Sequence, residues 1–195
     1  MSRASTFVKV PKDRIGALVG PDGRVKESIE RKLSVELGID SESGDITITL
    51  NPEAEDPSIL FRAKEVVTAV GRGFSPERAF RLLQDEDAVL QVIDLRESLG
   101  RSVSDIQRLK GRIIGKEGKT RRTIEELTQV DVSVHGHTVS IIGNLDQVEI
   151  ARKAIQMILR GSQHATVYRF LHRKRRELKK KKLELWEEPY EKLGT

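Results

Sequence analysis

Arg112-Ile113-Ile114-Gly115-Lys116-Glu117-Gly118-Lys119 is the stretch on which the reading of this chain turns. Two glycines three positions apart follow two apolar residues, with basic residues in and beside the pair. Glycine has no Cβ, so the backbone can turn sharply and another backbone can come close. The residues after Gly118, from Thr120 to Leu127, read as a helix. A glycine turn feeding a helix start presents free N–H groups and the positive end of a helix dipole, an arrangement suited to phosphate. Lys116, Lys119, Arg121 and Arg122 add full positive charges.

The pattern occurs twice. Val19-Gly20-Pro21-Asp22-Gly23-Arg24 matches Ile114 to Lys119 at an offset of 95. In each copy an isoleucine (Ile29, Ile124) follows the second glycine by six residues, and another glycine (Gly16, Gly111) precedes the first by four. A later match, Arg72-Gly73 with Ala79 to Leu83 against Arg160-Gly161 with Val167 to Leu171, has an offset of 88. The first copy is therefore seven residues longer, and the excess is assigned to the Ser41–Asp56 region. Such a repeat decides the domain count.

Read in order, the first copy runs strand (Phe7–Val10), helix (Asp13–Val19), glycine turn, helix (Arg24–Lys32), strand (Val35–Ile39), strand (Ile46–Leu50), helix (Asp56–Val70). Met1–Thr6 is expected to fray. Ser75-Pro76 opens a short linker helix with one apolar side, which implies that the two copies share an interface. The order then restarts with Val89–Leu95, Ser104–Ile114, Lys119–Thr128, Val130–Val134, Val139–Ile142 and Leu145–Leu159. A long basic helix broken at Pro189 should follow. The expected units are 1–84, 85–163 and a basic segment 164–195.

The chain has 195 residues, no cysteine and a net charge of +5. Disulfides and thiolate zinc sites are excluded, and a reducing, cytoplasmic setting fits. No stretch has the length or apolarity of a membrane span or a signal peptide. From His164 to Thr195 there are 10 Lys and Arg against 5 Asp and Glu, while the remainder balances. Positive charge concentrated in one segment points to a polyanionic partner, most often nucleic acid.

The element order around Ile113-Ile114-Gly115-Lys116-Glu117-Gly118 resembles the KH RNA-binding fold of the eukaryotic type (type I, βααββα). Two such units joined by Arg72-Gly73-Phe74-Ser75-Pro76-Glu77, followed by Val92-Ile93-Asp94-Leu95, resemble the partner-of-Nob (Dim-type) family of small-subunit ribosome assembly factors. The small size and lack of cysteine point to an archaeal member. The resemblance implies an α+β fold, binding near the 3′ end of small-subunit ribosomal RNA, and maturation of that end on the pre-ribosomal small subunit. It further implies a maturation endonuclease and a translation initiation factor as partners.

In a KH module the loop clamps the backbone of about four nucleotides. On this reading the RNA-binding residues are Arg112, Ile113, Ile114, Gly115, Lys116, Glu117, Gly118, Lys119, Arg121, Arg122 and Ile124. The cations would hold phosphates, and Ile113, Ile114 and Ile124, with a side chain from Val130–Val134, would form an aliphatic platform for bases. The first loop, Gly20, Pro21, Asp22, Gly23 and Arg24, is the weaker site. Pro21 lacks an N–H and Asp22 puts negative charge where a phosphate would sit, partly offset by Arg14, Arg24 and Lys26. The basic run Arg173, Lys174, Arg175, Arg176 with Lys179, Lys180, Lys181, Lys182 is a further RNA candidate, set against a plain solvated helix face.

Other signals lead elsewhere. Gly118-Lys119-Thr120 is not an NTPase loop, because position 113 is isoleucine where that motif needs glycine and a helix precedes the turn. His135 and His137 flank a hairpin glycine without an apparent third ligand, so no metal is expected. No catalytic constellation stands out, so the chain is expected to bind rather than catalyse, as a monomer and without cofactor. A KH subunit of an RNA-degrading exosome and a scaffold with a vestigial RNA site are the competing readings. The former is disfavoured by the lack of an N-terminal barrel domain.

Overall fold

The computed structural model describes residues 4–54, 56–99 and 102–187. Strand β1 (Ser5–Lys9), helix α1 (Lys12–Val19), a 3-10 turn (Pro21–Gly23), α2 (Arg24–Leu33), β2 (Val35–Ile39), β3 (Asp45–Leu50) and α3 (Ile59–Gly71) form the first unit. Two short helices, α4 (Pro76–Ala79) and α5 (Arg81–Gln84), lead out of it. The second unit comprises β4 (Ala88–Asp94), α6 (Leu95–Leu99), α7 (Val103–Ile114), a 3-10 turn (Lys116–Gly118), α8 (Lys119–Thr128), β5 (Asp131–His135), β6 (Thr138–Asn144) and α9 (Leu145–Leu159). Helix α10 (His164–Glu187) follows. This is the expected α+β class with the βααββα order twice. No helix among the described residues is long and apolar enough to cross a membrane.

Each unit has a three-stranded antiparallel sheet with its last strand in the centre, ordered β1-β3-β2 and β4-β6-β5. Period-two alternation sets the faces. In β2, Val35 and Leu37 are buried while Glu36 and Gly38 are exposed. Leu37 lies opposite Ile48 and Val132 opposite Ile141, so the first hairpin is the longer one. The rest of the first copy's excess lies between β3 and α3, whereas β6 runs directly into α9.

Two expectations are corrected. Ser5 and Thr6 do not fray: they pair with Thr49 and Ile48, and Leu50 N–H donates to the Ala4 carbonyl at 3.0 Å. Edge pairing satisfies backbone groups that a polar, aperiodic sequence gives no hint of. The strand expected to reach Leu95 stops at Asp94, and Leu95 opens α6 with its side chain buried. The expected break at Pro189 lies outside the described residues.

The sheets differ in what covers their second face. In each unit the helices pack on one face and close a core. Ile29, Leu37, Ile48 and Val66 lie in the first, and Ile113, Ile124, Ile141 and Ile155 in the second. The other face of the second sheet is sealed by the first unit: Ile142 joins the first core beside Phe74, Ala79 and Leu82. Ser133 and Ser140, on that same face, keep 8% and 0% of their surface. The equivalent face of the first sheet is open, with Phe7 67% exposed.

The seam between the units is tight and polar at its edges. Gly73 has φ +98°, and a Cβ there would stand 2.6 Å from His135 Cβ and 2.7 Å from Ser133 Oγ. Ser133 Oγ donates to the Arg72 carbonyl at 3.0 Å. Arg81 donates to Asp131 (3.1 Å) and to the Gln129 carbonyl (3.0 Å), and Arg78 donates to Glu125 (2.8 Å). His135 Nε2 lies 3.0 Å from Asp13 Oδ2 on α1. Nearby, hydrogen bonds from Arg96 hold the Asp94 carboxyl down to about 2, and burial, with Arg96 beside it, pushes His137 below its ordinary value.

Arg81→Ala removes a half-buried ion pair and a hydrogen bond, and should destabilise the chain by about 1–2 kcal/mol in chemical denaturation. Gly73→Ala should destabilise it more, because it adds backbone strain to the clash. A smaller effect for Gly73→Ala than for Arg81→Ala would contradict this account of the seam.

Candidate nucleic-acid interface

The two glycine loops have the same backbone. Gly20 and Gly115 sit at φ 74°, ψ 176° and φ 73°, ψ 175°. Asp22 and Glu117 are both left-handed at φ 52°. The first glycine of each pair is doubly constrained. A Cβ on Gly115 would stand 2.3 Å from Thr120 Oγ1 and 2.8 Å from the Thr120 amide nitrogen, and one on Gly20 would stand 2.3 Å from Val25 Cγ2. The loop is thus folded against the first turn of the helix that follows it. Helix α8 starts at Lys119 with Gly118 as its cap and no side-chain hydrogen bond there; the Lys119 N–H donates to the Lys116 carbonyl and the Gly118 N–H to the Gly115 carbonyl, so the loop closes on the helix start. In the first loop Pro21 removes a donor.

Charge separates the two loops. Lys116, Lys119 and Arg122 are exposed, and among the described residues none has an acidic partner. Arg24 instead reaches Asp22 of its own loop at 3.5 Å, and Lys26 reaches Glu30 at 3.7 Å. Arg14 is withdrawn altogether. Its guanidinium donates to the carbonyls of Val70 (3.0 Å) and Phe74 (2.7 Å), capping the end of α3.

Four of the expected RNA contacts are redefined by burial and pairing. Arg112 does for α9 what Arg14 does for α3, donating to the carbonyls of Ile158 (3.1 Å) and Ser162 (2.7 Å). It is a helix cap rather than a free phosphate ligand. Ile113 and Ile124 are wholly buried, so they support the site from the core and present no surface to a base. Of the aliphatic residues offered as a platform, Ile114 and Val134 keep part of their surface outside, while Val130 and Val132 do not. Arg121 lies beside Glu125 at 3.9 Å, with its buried Nε lacking a hydrogen bond.

The structure also brings in residues that the sequence did not single out. Glu125 Oε1 accepts the Val132 amide at 2.9 Å, and Glu30 Oε1 accepts the Leu37 amide at 2.8 Å, the same contact in both copies. The repeat offset was the signal that could have found this pair. Tyr168 Oη lies 3.0 Å from Thr120 Oγ1, and His164 Nε2 lies 2.9 Å from the Arg112 carbonyl. Helix α10 is thereby attached to the second loop, and Val167 and Leu171 are buried in the second core. No local pattern announces contacts between residues so far apart in the chain. In the basic run, Arg173 and Lys174 both pair with Glu177, while Arg175 and Arg176 are exposed and have no acidic partner among the described residues.

Gly115→Ala should destabilise the chain by more than about 2 kcal/mol, combining a left-handed backbone with a clash against main chain. Gly111→Ala, in α7 with nothing within 4 Å of its Cβ, should instead be neutral or stabilise by about 0.5–1 kcal/mol. Thermal and denaturant unfolding of the two variants would check the contrast.

Comparison with known proteins agrees with this geometry. The Krr1 KH1 domain model matches residues 5–85, and a eukaryotic type KH-domain (KH-domain type I) model matches residues 89–176. A KH domain-containing protein of Methanocaldococcus jannaschii is 48% identical over 194 residues, covering 96% of this chain and 84% of that protein. Pre-rRNA-processing protein PNO1 of Saccharomyces cerevisiae is 22% identical over 165 residues, covering 84% and 60%. Dim2p of Pyrococcus horikoshii OT3, solved as an a/eIF2alpha–aDim2p–rRNA complex, is 46% identical with a TM-score of 0.84, covering 90% of this chain and 96% of that one. With two KH units matched in tandem and close identity along nearly its whole length, the chain belongs to the Dim2/PNO1 family of KH-domain proteins.

Proposed function

We propose that this chain is a small-subunit ribosome assembly factor that binds single-stranded ribosomal RNA near its 3′ end through the second glycine loop and assists maturation of that end. The observation that carries the proposal is the difference between two loops of one shape. The second leaves Lys116, Lys119 and Arg122 without acidic partners among the described residues, and the first neutralises Arg24 with Asp22. Two relatives, one solved in complex with rRNA and a/eIF2alpha and one a pre-rRNA-processing protein, support the choice of RNA.

On this reading the glycine loop with its flanking cations holds consecutive phosphates at the positive end of α8, which sets register, while the bases turn toward the groove and are read at their edges. The chain works in the cytoplasm as a monomeric binding protein on the pre-ribosomal small subunit, without catalysing a step. It presents the RNA end to a maturation endonuclease and meets a translation initiation factor. The units act as 1–84 and 85–163, with 164–195 as a basic extension whose first turns pack on the second unit. The first loop is the weaker RNA site.

The test is binding of the purified protein to a short strand matching the 3′ end of small-subunit ribosomal RNA, with a scrambled strand as control, at two salt concentrations. Lys116→Asp with Glu117→Asp should abolish selective binding. Equal, salt-sensitive binding to both strands that survives this double substitution would remove the proposal and leave a scaffold with a vestigial site. In the same assay, Lys119→Glu should weaken binding by about tenfold and Arg24→Glu by less than about threefold, in proportion to the phosphates that each side chain holds. Equal weakening by the two would refute the ranking of the loops.

A further inference from the structure

Helix α10 is not uniformly basic. Among the described side chains, its acidic residues Glu177 and Glu184 lie on one flank, and they pair with the cations beside them. Arg173 and Lys174 meet Glu177, Lys180 meets Glu184, and Lys181 crosses to Asp146 of α9 at 3.7 Å. The other flank is different. His172, Arg175, Arg176 and Lys179 are spaced i, i+3, i+4, i+7 and so share one face, and Arg169 continues it by one turn toward the helix start. All five are exposed, and none has an acidic partner among the described residues.

The position of this flank follows from two contacts. At the start of α10, Tyr168 Oη lies 3.0 Å from Thr120 Oγ1, directly behind the second glycine loop. Farther along, Arg175 and Lys179 line a shallow depression with Leu127, Thr128 and Gln129 at the end of α8. The two helices therefore run side by side in the same direction. Tyr168, Arg175 and Lys179 form the stripe of α10 nearest α8, while Arg169, His172 and Arg176 turn away from α8 and line a second depression with Arg173, Phe170 and Met157 of α9. At 1.5 Å per residue, that stripe extends about 16 Å from the loop.

We infer that the unpaired cations of α10, Arg175 and Lys179 beside α8 with Arg176 and Arg169 on the adjoining exposed face, are a phosphate-binding track for RNA continuing beyond the nucleotides held by the loop. It rests on the proposed function and deepens it. The occupant is assigned by charge complementarity and by continuity with the cations Lys116 and Lys119 at the loop. An extended strand leaving the loop along α8 passes Tyr168 and then meets Arg175 and Lys179 one turn apart, with Arg176 on the adjoining face. A polyanion's backbone is the chemistry such a row recognises, independent of base sequence. Among the described side chains, the remaining cations, Arg173, Lys174, Lys180 and Lys181, already have carboxylate partners. All four accordingly leave the RNA set that the sequence alone assigns to these runs.

The experiment uses the full chain and two single strands ending in the same segment. One is short enough to fill the loop alone, about four nucleotides, and the other is about twelve. Arg175→Ala/Arg176→Ala/Lys179→Ala is compared with Lys174→Ala/Lys180→Ala/Lys181→Ala, which removes the same charge from cations that have carboxylate partners. The first triple should weaken binding of the longer strand about tenfold. It should also reduce the slope of log affinity against log salt by about 2, at roughly 0.7 for each phosphate deprived of its cation. Its effect on the short strand should stay within about twofold, and the second triple should alter neither strand's slope by more than about 0.5. Equal effects of the two triples, which would report net charge alone, overturn the inference. So does an unchanged affinity of the first triple for the longer strand, which would leave the flank to an acidic protein partner. The loop variant Lys116→Asp/Glu117→Asp separates the two readings. If it binds the short strand as well as the wild type does, the loop assignment fails, and the track is then judged on the longer strand alone.

Discussion

The exit turn of the first unit lies hard against the helix-free face of the second sheet, and this contact organises the molecule. Gly73 passes so close to Ser133 and His135 that no side chain fits between them. The turn carries α4 and α5 across the sheet, where Ala79 and Leu82 are buried and Ile142 of the second unit completes the first unit's core. A KH sheet has helices on one face only, and here the second sheet gains its other cover from its neighbour. The hydrophobic burial is non-directional, so orientation comes from the polar rim, where Arg78 and Arg81 meet Glu125, Asp131 and the Gln129 carbonyl. Because Glu125 also accepts the Val132 amide, the same carboxylate that joins the units holds α8 to β5.

Duplication has produced two loops of one geometry and two electrostatic outcomes. The backbone torsions agree within a few degrees, so shape does not distinguish them. The side chains do. Asp22 stands where the second copy has Glu117, but only Asp22 is met by an arginine of its own loop. A phosphate arriving at the first loop competes with an internal carboxylate. At the second it meets cations that have no carboxylate partner among the described residues.

Most of the fold was legible in the sequence, and the reasons are local. Period-two and helical spacing identify strands and helices, and the repeated GxxG with its preceding apolar pair identifies the KH order. Ser5 and Thr6 escaped because a polar edge strand is defined by its partner, and α6 escaped because Arg96, Glu97 and Ser98 show no apolar period. The site was legible only in part. Arg112, Lys116 and Lys119 look alike as letters, yet one caps α9 and two face solvent. Ile113 and Ile114 are neighbours, yet one is in the core and the other is half out.

What the sequence determined by itself was everything set by short-range geometry: the class of fold, the two units, both loops, and the absence of thiol chemistry. What only the tertiary structure decided was which charges are free. A cation's availability depends on carbonyls and carboxylates that lie far along the chain, as with Arg14 at Val70 and Phe74, Arg112 at Ile158 and Ser162, and Lys181 at Asp146. Charge interactions act through space at a few ångströms. The composition of a segment therefore counts its charges without saying which of them have partners, and folding alone makes that division.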